Sequence, residues 1–286
     1  MTVHILTDSS HYLDPAIVAA LNLHVLPLTL HLAGEDRRER IEVTTEALFE
    51  KLKDRSAGWP TTAAVSPGAL RAAYDELTRD GDEVVGVFMS RGTSVTVENA
   101  QAAAAEHPNR DRIHVVDSLG VSGALALTLL VVAQRAAGGM AAADLARIAR
   151  QMGERMRVMF TVDTLDYLHR GGRMKGSQAL VGTLLGIKPV LWLNEGRIEL
   201  WSKARGKRKA LDAMLEETVK AMPAGEAVRA VIFNAAAQGE ADALGKALSE
   251  RVMVNKLDHV QIGPVVAAHV GPGCVAMAVC PESATC

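Results

Sequence analysis

The sequence has few cysteines and almost no net charge, and both scarcities exclude classes of protein. Only three of 286 residues are cysteine: Cys274, Cys280 and Cys286. Their spacing suits neither a zinc site nor a redox pair, so we expect reduced thiols, no bound metal and a cytoplasmic location. Lys and Arg number 31 against 33 Asp and Glu. The near balance gives no overall field that favours nucleic acid or an anionic membrane surface.

The sequence also lacks a long hydrophobic run. The longest candidate, Val121–Ala133, lies between Asp117 and Arg135 and is too short to cross a bilayer. The first ten residues have neither the basic nor the apolar region of a signal peptide and are typical of a first strand. The sequence therefore predicts a protein without integral membrane association.

Hydrophobic residues make up 49% of the sequence, enough for the closed cores of two domains. In the first half, short apolar runs alternate with helical patterns, which is typical of a parallel sheet with crossover helices. In the second half, turn residues at 194–196 separate two apolar runs, and further helical patterns follow. We predict an α/β protein with an N-terminal doubly wound parallel-sheet domain (1–155) and a C-terminal α+β domain (156–286).

The same patterns predict individual elements. The first half has strand candidates at His4–Leu6, Val25–Leu30, Glu83–Met89 and Ile113–Val116. Its helix candidates are Leu13–Leu21, Thr45–Lys53, Pro67–Arg79, Val95–His107 and Ser122–Arg135. The second half has a strand candidate at Val158–Val162, a helix from Asp163, a hairpin at Lys188–Trp201 and helices at Lys207–Met222 and Glu240–Arg251.

Hydroxyl groups are concentrated in four loops: Thr7–Ser10, Thr61–Pro67, Met89–Ser94 and Asp117–Ser122. Helix capping is an adequate explanation for any one of them. Loops that follow parallel strands gather at one edge of the sheet, however, and ligands bind there. Gly92 permits a close approach of the backbone, and Ser94 precedes a helix whose first amides favour a carboxylate or phosphate. No glycine motif for nucleotides is present, so we predict a small anion.

Basic residues are concentrated in two stretches, His169–Lys175 and Lys203–Lys209. Two glycines between Arg170 and Arg173 predict a tight turn that aims the guanidinium groups, which match carboxylate or phosphate. The second stretch fits a solvated face equally well. His269 precedes a Gly-Pro-Gly turn and is either a buried core histidine or part of a site. No second histidine or carboxylate stands at metal-ligand spacing.

Taken together, these motifs resemble the DegV family, bacterial fatty-acid-binding proteins that serve as carrier subunits of fatty acid kinase. The resemblance extends over nearly the whole chain, and its most specific segments are the Gly-Gly-Arg turn with the later Ile-Lys-Pro and the His-Val-Gly-Pro-Gly turn. The residues that carry it are Thr7–Ser10, Thr61–Leu70, Met89–Ala100, Val115–Leu125, Asp163–Leu191, Lys203–Leu211 and Ile262–Gly273.

The resemblance implies two domains with a long-chain fatty acid between them and its acyl chain in an apolar tunnel. It implies that Thr62 and Ser94 hold the carboxylate, with His269 nearby. Arg173 and Arg205 would lie where a separate kinase passes a phosphoryl group to that carboxylate. The chain itself would then be a carrier without catalytic activity and without a cofactor other than the bound fatty acid.

The sequence departs from the family pattern in two loops. Arg91 and Val95 replace small residues, and Ala63–Val65 replace polar and proline positions. Arg91 either adds a contact to the carboxylate or narrows the entrance, so the resemblance leaves the acyl chain undetermined. Two other functions stay open: an enzyme or binding protein for a small phosphorylated metabolite, and a lipid sensor without a kinase. The apolar segments Ala179–Ile187 and Val121–Val132 fit a lipid tunnel or core helices.

Overall fold

A computed structural model of the protein describes residues 2–53, 58–174 and 186–286. Its strands are β1 (Val3–Asp8), β2 (Leu23–Leu26), β3 (Thr29–Leu32), β4 (Glu35–Arg38), β5 (Thr61–Ala63), β6 (Glu83–Phe88), β7 (Ile113–Asp117), β8 (Arg157–Thr161), β9 (Ile187–Asn194), β10 (Arg197–Arg205), β11 (Val228–Ala235), β12 (Val254–Gln261) and β13 (Cys274–Pro281). Its helices are α1 (Pro15–Ala20), α2 (Thr45–Lys53), α3 (Pro67–Leu77), α4 (Thr96–Ala105), α5 (Gly123–Ala137), α6 (Ala142–Arg155), α7 (Asp166–Arg170), α8 (Lys207–Ala221), α9 (Gln238–Ser249) and α10 (Pro264–Val270).

The first half forms a parallel sheet with the strand order β2-β1-β6-β7. Two helix pairs, α3 with α4 and α5 with α6, pack against it. The predicted parallel sheet with crossover helices is therefore confirmed. Because all its strands run the same way, the loops after β1, β6 and β7 lie at one edge, as the sequence analysis expected.

The second half forms a mixed sheet with the order β10-β9-β8-β13-β11-β12. The pairs are antiparallel except for β11 with β12. The predicted hairpin is present as β9 and β10, and its turn places Glu195 and Gly196 at φ 48° and 75°. Helices α8 and α9 pack against this sheet. The α+β prediction for the second half is confirmed.

Helix α5 lies between the two sheets. It contacts β1 and β6 of the parallel sheet as well as β11 and β13 of the mixed sheet. Every residue from Gly123 to Ala133 is buried, which explains why this segment is apolar on all sides. The alternative that Val121–Val132 is largely a core helix is therefore correct.

A third sheet of three antiparallel strands, in the order β4-β3-β5, was not predicted. The predicted single strand Val25–Leu30 is wrong, because Pro27 separates β2 from β3. Proline has no N–H for a strand ladder and favours such a break. The two resulting strands belong to different sheets.

The predicted boundary near residue 155 falls between α6 and β8. Buried apolar side chains nevertheless form one continuous cluster that includes Leu6 of β1, Leu127 of α5 and Phe160 of β8. The division into domains 1–155 and 156–286 stays a prediction. Across the described ranges, no helix combines the length and the apolar character needed to cross a bilayer.

The start of α5 gives a test of this packing. A Cβ atom at Gly123 would overlap the ring of Phe233 on β11. Gly123→Ala should therefore destabilise the protein by about 1–3 kcal/mol, despite the higher helix propensity of alanine. Gly68→Ala in α3 is the control, because its added methyl group would have no atom within 4 Å. Equal free energies of unfolding for the two variants in denaturant titrations would contradict the close contact.

Candidate functional site

A cavity of about 320 Å³ lies where the loops of the parallel sheet meet the mixed sheet and α10. The predicted site residues Thr62, Arg91, Gly92, Ser94, Arg173 and His269 all line it. They come from sequence segments as far apart as β5 and α10. The structure thus brings six of the seven predicted site residues together.

The interior of the cavity is apolar. Side chains of the mixed sheet form much of its wall, namely Val158, Phe160, Leu193, Phe233 and Ala276. Such side chains offer no hydrogen bonds, so they suit a hydrocarbon and leave polar recognition to the loops. Of the predicted lining segment Ala179–Ile187, residues 179–185 lie outside the described residues. Lys175 lies outside them as well.

Thr62 and His269 form the polar end of the cavity. Thr62 Oγ1 lies 2.9 Å from His269 Nε2. In the tautomer with the proton on Nε2, the histidine donates to Thr62 and leaves the threonine hydroxyl proton free for another acceptor. His269 Nδ1 is buried without a hydrogen-bond partner among the described residues, and it lies so close to Gly171 that a Cβ there would overlap it.

The electrostatics of this end keep the histidine neutral. Burial, together with the charge of Arg173, lowers the pKa of His269 to about 4. At neutral pH the ring is therefore uncharged and acts as a hydrogen-bonding group.

Arg173 supplies positive charge to the cavity. Its Nε donates to Thr93 O at 3.2 Å and its Nη1 to Gly171 O at 2.6 Å, so the Gly-Gly turn orients the guanidinium. No carboxylate of the described residues forms an ion pair with it, and burial lowers its pKa. The loop position predicted from the sequence thus carries a half-buried charge whose remaining N–H groups can meet an anion.

Ser94 makes two contacts with Thr96, the first residue of α4. Its Oγ accepts a hydrogen bond from Thr96 N at 3.2 Å and lies 2.9 Å from Thr96 Oγ1. The same side chain lines the cavity. Ser94 thus forms a turn just before the N-cap residue of α4, Val95, and does not itself cap the helix; of the two interpretations of this loop, cavity lining is the one that applies to Ser94.

Arg91 is exposed, and its charge is already paired. Its Nε donates to Asp117 Oδ2 at 2.9 Å, and its Nη2 lies 3.5 Å from Gln101 Oε1. Because Asp117 offsets the guanidinium charge, Arg91 is less suited than Arg173 to attract an anion. Its position on the cavity wall agrees with the alternative that it narrows the entrance.

Gly92 is required by a contact that the sequence did not reveal. A Cβ atom there would overlap the carbonyl oxygen of Gly196 in the β9–β10 turn. Ser90 Oγ donates to the same carbonyl at 2.9 Å and accepts from Gly92 N at 3.0 Å. The hairpin turn of the mixed sheet therefore holds the loop that carries Ser94.

Arg205 does not line the cavity. It is exposed at the end of β10, where it pairs with Ile187 in the strand register. The neighbouring lysines Lys188 and Lys207 bind Asp163, with Nζ to Oδ1 distances of 2.8 and 3.2 Å. Arg205 thus lies outside the cavity lining, near the exposed basic side chains of Lys203, Arg208 and Lys209.

The importance of α10 was not predicted from the sequence, which drew attention to His269 alone. Val265, Val266 and Val270 of this helix also line the cavity. Pro264 at its first position is a recognised helix-start signal that could have located it. Among the described residues, no cluster of three or more His, Cys, Asp or Glu side chains is arranged to hold a metal ion.

The electrostatics at His269 can be tested by NMR titration of the histidine rings. We expect a pKa of about 4 in the ligand-free protein. Arg173→Met should raise it but leave it below 6.5, because burial is the larger cause. Arg208→Met removes an exposed charge outside the cavity lining and should change nothing. A pKa near 6.5 in the unsubstituted protein would contradict the buried environment.

The same shift has a consequence for stability. Because the folded pKa is lowered from 6.5 to about 4, the unfolded chain binds the proton more tightly. The contribution of His269 to the free energy of unfolding should therefore be lost as the pH falls from 6.5 to 4. His269→Gln should reduce the slope of unfolding free energy against pH in that window, measured by denaturant titration.

Comparisons with known proteins extend over nearly the whole chain. The model of the DegV family of uncharacterised proteins matches residues 2–282. A DegV domain-containing protein of Deinococcus radiodurans is 34% identical over 286 residues, covering 99% of this chain and 100% of the relative.

Solved structures agree with this match. A structure on fatty acid binding of a DegV family protein from Thermus thermophilus has a TM-score of 0.92 and 31% identity, and the alignment covers 98% of this chain and 100% of that one. A fatty-acid-binding DegV family protein of Streptococcus agalactiae has a TM-score of 0.89 and 29% identity, with 98% and 99% covered. With its sequence and its fold both matched from end to end, the chain belongs to the DegV family.

Proposed function

We propose that the protein binds a long-chain fatty acid, with the acyl chain in the cavity and the carboxylate at Thr62, Ser94 and His269. The observation that supports this most directly is the lining of one cavity, which combines many apolar side chains with the hydrogen-bonded pair Thr62–His269 and the charge of Arg173. The relatives from Thermus thermophilus and Streptococcus agalactiae, described as binding fatty acids, support the same ligand class.

The energetics fit this division. Each buried methylene of an acyl chain contributes about 0.8 kcal/mol, so the chain supplies most of the affinity. The polar end has to orient the head group more than to hold it strongly. Thr62 and His269 are neutral. His269 Nε2 holds Thr62, whose hydroxyl proton is donated to the carboxylate without an ion pair, which leaves lone pairs of the carboxylate oxygens free.

We further propose that the protein is a carrier without catalytic activity of its own, which presents the carboxylate to a separate kinase. A carboxylate oxygen attacks the terminal phosphorus of a nucleoside triphosphate held by the kinase, and the bond to the nucleoside diphosphate breaks, leaving an acyl phosphate. Arg173 stabilises the charge of the incoming phosphoryl group at the cavity, and the exposed Arg205 meets the kinase.

The apolar wall disfavours the second candidate, a small phosphorylated metabolite. The hydroxyl groups of a sugar phosphate would find no partners against Phe160, Phe233 and their neighbours. Arg173 would suit phosphate as well as carboxylate, so thermal shifts with sugar phosphates and with fatty acids should be measured side by side. Stabilisation by the sugar phosphates alone would favour the second candidate.

Fatty acid binding is tested with a matched pair of threonines. The purified protein should carry a fatty acid that organic extraction and mass spectrometry detect.

Thr62→Val should weaken rebinding of the fatty acid by about 1.5–3 kcal/mol, or roughly ten- to a hundredfold in Kd, because one hydrogen bond to the carboxylate is lost. Thr61→Val alters the exposed neighbour, which does not line the cavity, and should leave the Kd unchanged. If the purified protein carries no lipid and also binds no fatty acid in solution, the proposal is wrong.

Presentation to a kinase is tested with Arg205→Ala. The variant should bind fatty acid with an unchanged Kd, since Arg205 lies outside the cavity, but should lose acyl phosphate formation with a bacterial fatty acid kinase. Arg173→Ala should also lose phosphorylation while it still binds lipid. Arg251→Ala, an exposed arginine after α9, is the control and should retain both properties. Loss of lipid binding and phosphorylation to the same degree in the Arg205 variant would contradict a role toward the partner.

A further inference from the structure

Glu39 is a fully buried carboxylate that follows β4 and does not line the cavity. Three groups donate hydrogen bonds to it. Ser9 Oγ lies 2.5 Å from Oε2, and Tyr12 OH and Val265 N each lie 2.7 Å from Oε1. One side chain therefore joins the loop after β1, the end of β4 and the first turn of α10.

The neighbouring contacts are consistent with donation to Glu39. Ser9 Oγ accepts from Leu28 N at 3.0 Å and donates its own proton to Glu39 Oε2. Tyr12 OH accepts from Val266 N at 3.1 Å and donates its proton to Glu39 Oε1. The backbone N–H of Val265 can only donate. Three donors thus converge on the ionised carboxylate. Burial raises the pKa of Glu39 to about 7, and these three hydrogen bonds act against that rise, because they favour the ionised form.

These contacts hold both partners of the polar end of the cavity. Helix α10, which carries His269, is bound at its first turn through Val265. Glu39 directly follows Arg38, the last residue of β4. Strand β4 pairs with β3, and β3 pairs with β5, which carries Thr62. Glu39 is therefore the buried link between the strands that place Thr62 and the helix that places His269.

The approach of α10 to this link is close. A Cβ atom at Gly263, the residue before the helix, would overlap the ring of Tyr12. Thr45 Oγ1 also donates to Ile262 O at 2.9 Å, which fixes the segment leading into the helix. The start of α10 thus has little room to shift while the carboxylate accepts its amide.

We propose that Glu39 is a positioning residue for the head group of the ligand: by accepting from Val265 N and Tyr12 OH, it holds α10 so that His269 Nε2 stays within hydrogen-bond distance of Thr62 Oγ1. It acts through these residues and does not touch the ligand. The statement that the ligand is a fatty acid rests on the proposed function; the link between Glu39 and the Thr62–His269 hydrogen bond does not.

Two substitutions separate the acceptor role from simple packing. Glu39→Gln keeps the size of the side chain but turns an N–H₂ group toward one of the converging donors. Glu39→Asp is shorter by one methylene but still offers only acceptors. If the acceptors position α10, the Gln variant should bind stearate at least tenfold more weakly and the Asp variant should recover much of that loss. If Glu39 only fills space, the shorter Asp side chain should be the more damaging change.

The second readout is the histidine NMR spectrum of the ligand-free protein. In Glu39→Gln the ring signals of His269 should shift toward those seen in Thr62→Val, which lacks the hydrogen bond outright. Leu244→Ala, in the separate core around α9, is the control for reduced stability. It should lower the melting temperature without changing the His269 signals or the Kd. Unchanged His269 signals in a folded Glu39→Gln variant would overturn the proposal.

The outcomes for the two proposals are distinguishable. If the unsubstituted protein does not bind stearate, the proposed function is wrong, while the His269 signals still decide the role of Glu39. If Glu39→Gln does not fold, Tyr12→Phe replaces it, since this change removes one donor to Glu39 and the acceptor of Val266 N but keeps the ring. Its His269 signals should shift in the same direction by a smaller amount, and the absence of any shift would overturn the proposal.

Discussion

The burial of α5 between two sheets is the constraint on which the rest of the structure depends. The segment from Gly123 to Ala133 is apolar on every side and is buried without exception, so it can be satisfied only by walls on both sides. The parallel sheet supplies one wall and the mixed sheet the other. The loops at the start of α5 therefore face the strands of the mixed sheet, and the cavity forms where they meet.

The cavity lining combines apolar side chains with a few polar groups. It includes apolar side chains of the mixed sheet and of α10, whereas its polar groups come from β5, from the loops and from His269 of α10. Burial keeps His269 neutral, and Arg173 contributes a positive charge that no carboxylate of the described residues pairs with. A site of this composition favours a molecule with a long apolar part and one anionic end.

Much of the local structure was predictable because its signals are local. The helix predicted at Thr45–Lys53 has these bounds in the structure, and the Asn-Glu-Gly turn produced the expected hairpin. The strand predicted at Val25–Leu30 was wrong. The apolar pattern continues through Pro27, but the strand does not, because proline has no N–H to donate to a neighbouring strand. The three-stranded sheet was missed because its short strands carry charged residues, such as Glu35–Arg38, and lack the apolar alternation of a half-buried strand.

The sequence by itself determined the α/β class, the family, most helices and three of the four predicted loops that line the cavity, the exception being Thr7–Ser10, since each depends on residues close together in the chain. Only the tertiary structure decided which of those residues meet. Thr62 and His269 are 207 positions apart, and Glu39 and Val265 are 226 apart, so no local pattern relates them. Whether Arg173 faces the cavity and Arg205 the solvent likewise depends on how α7 and β10 pack against distant strands, because a charged side chain has the same local signal in both places.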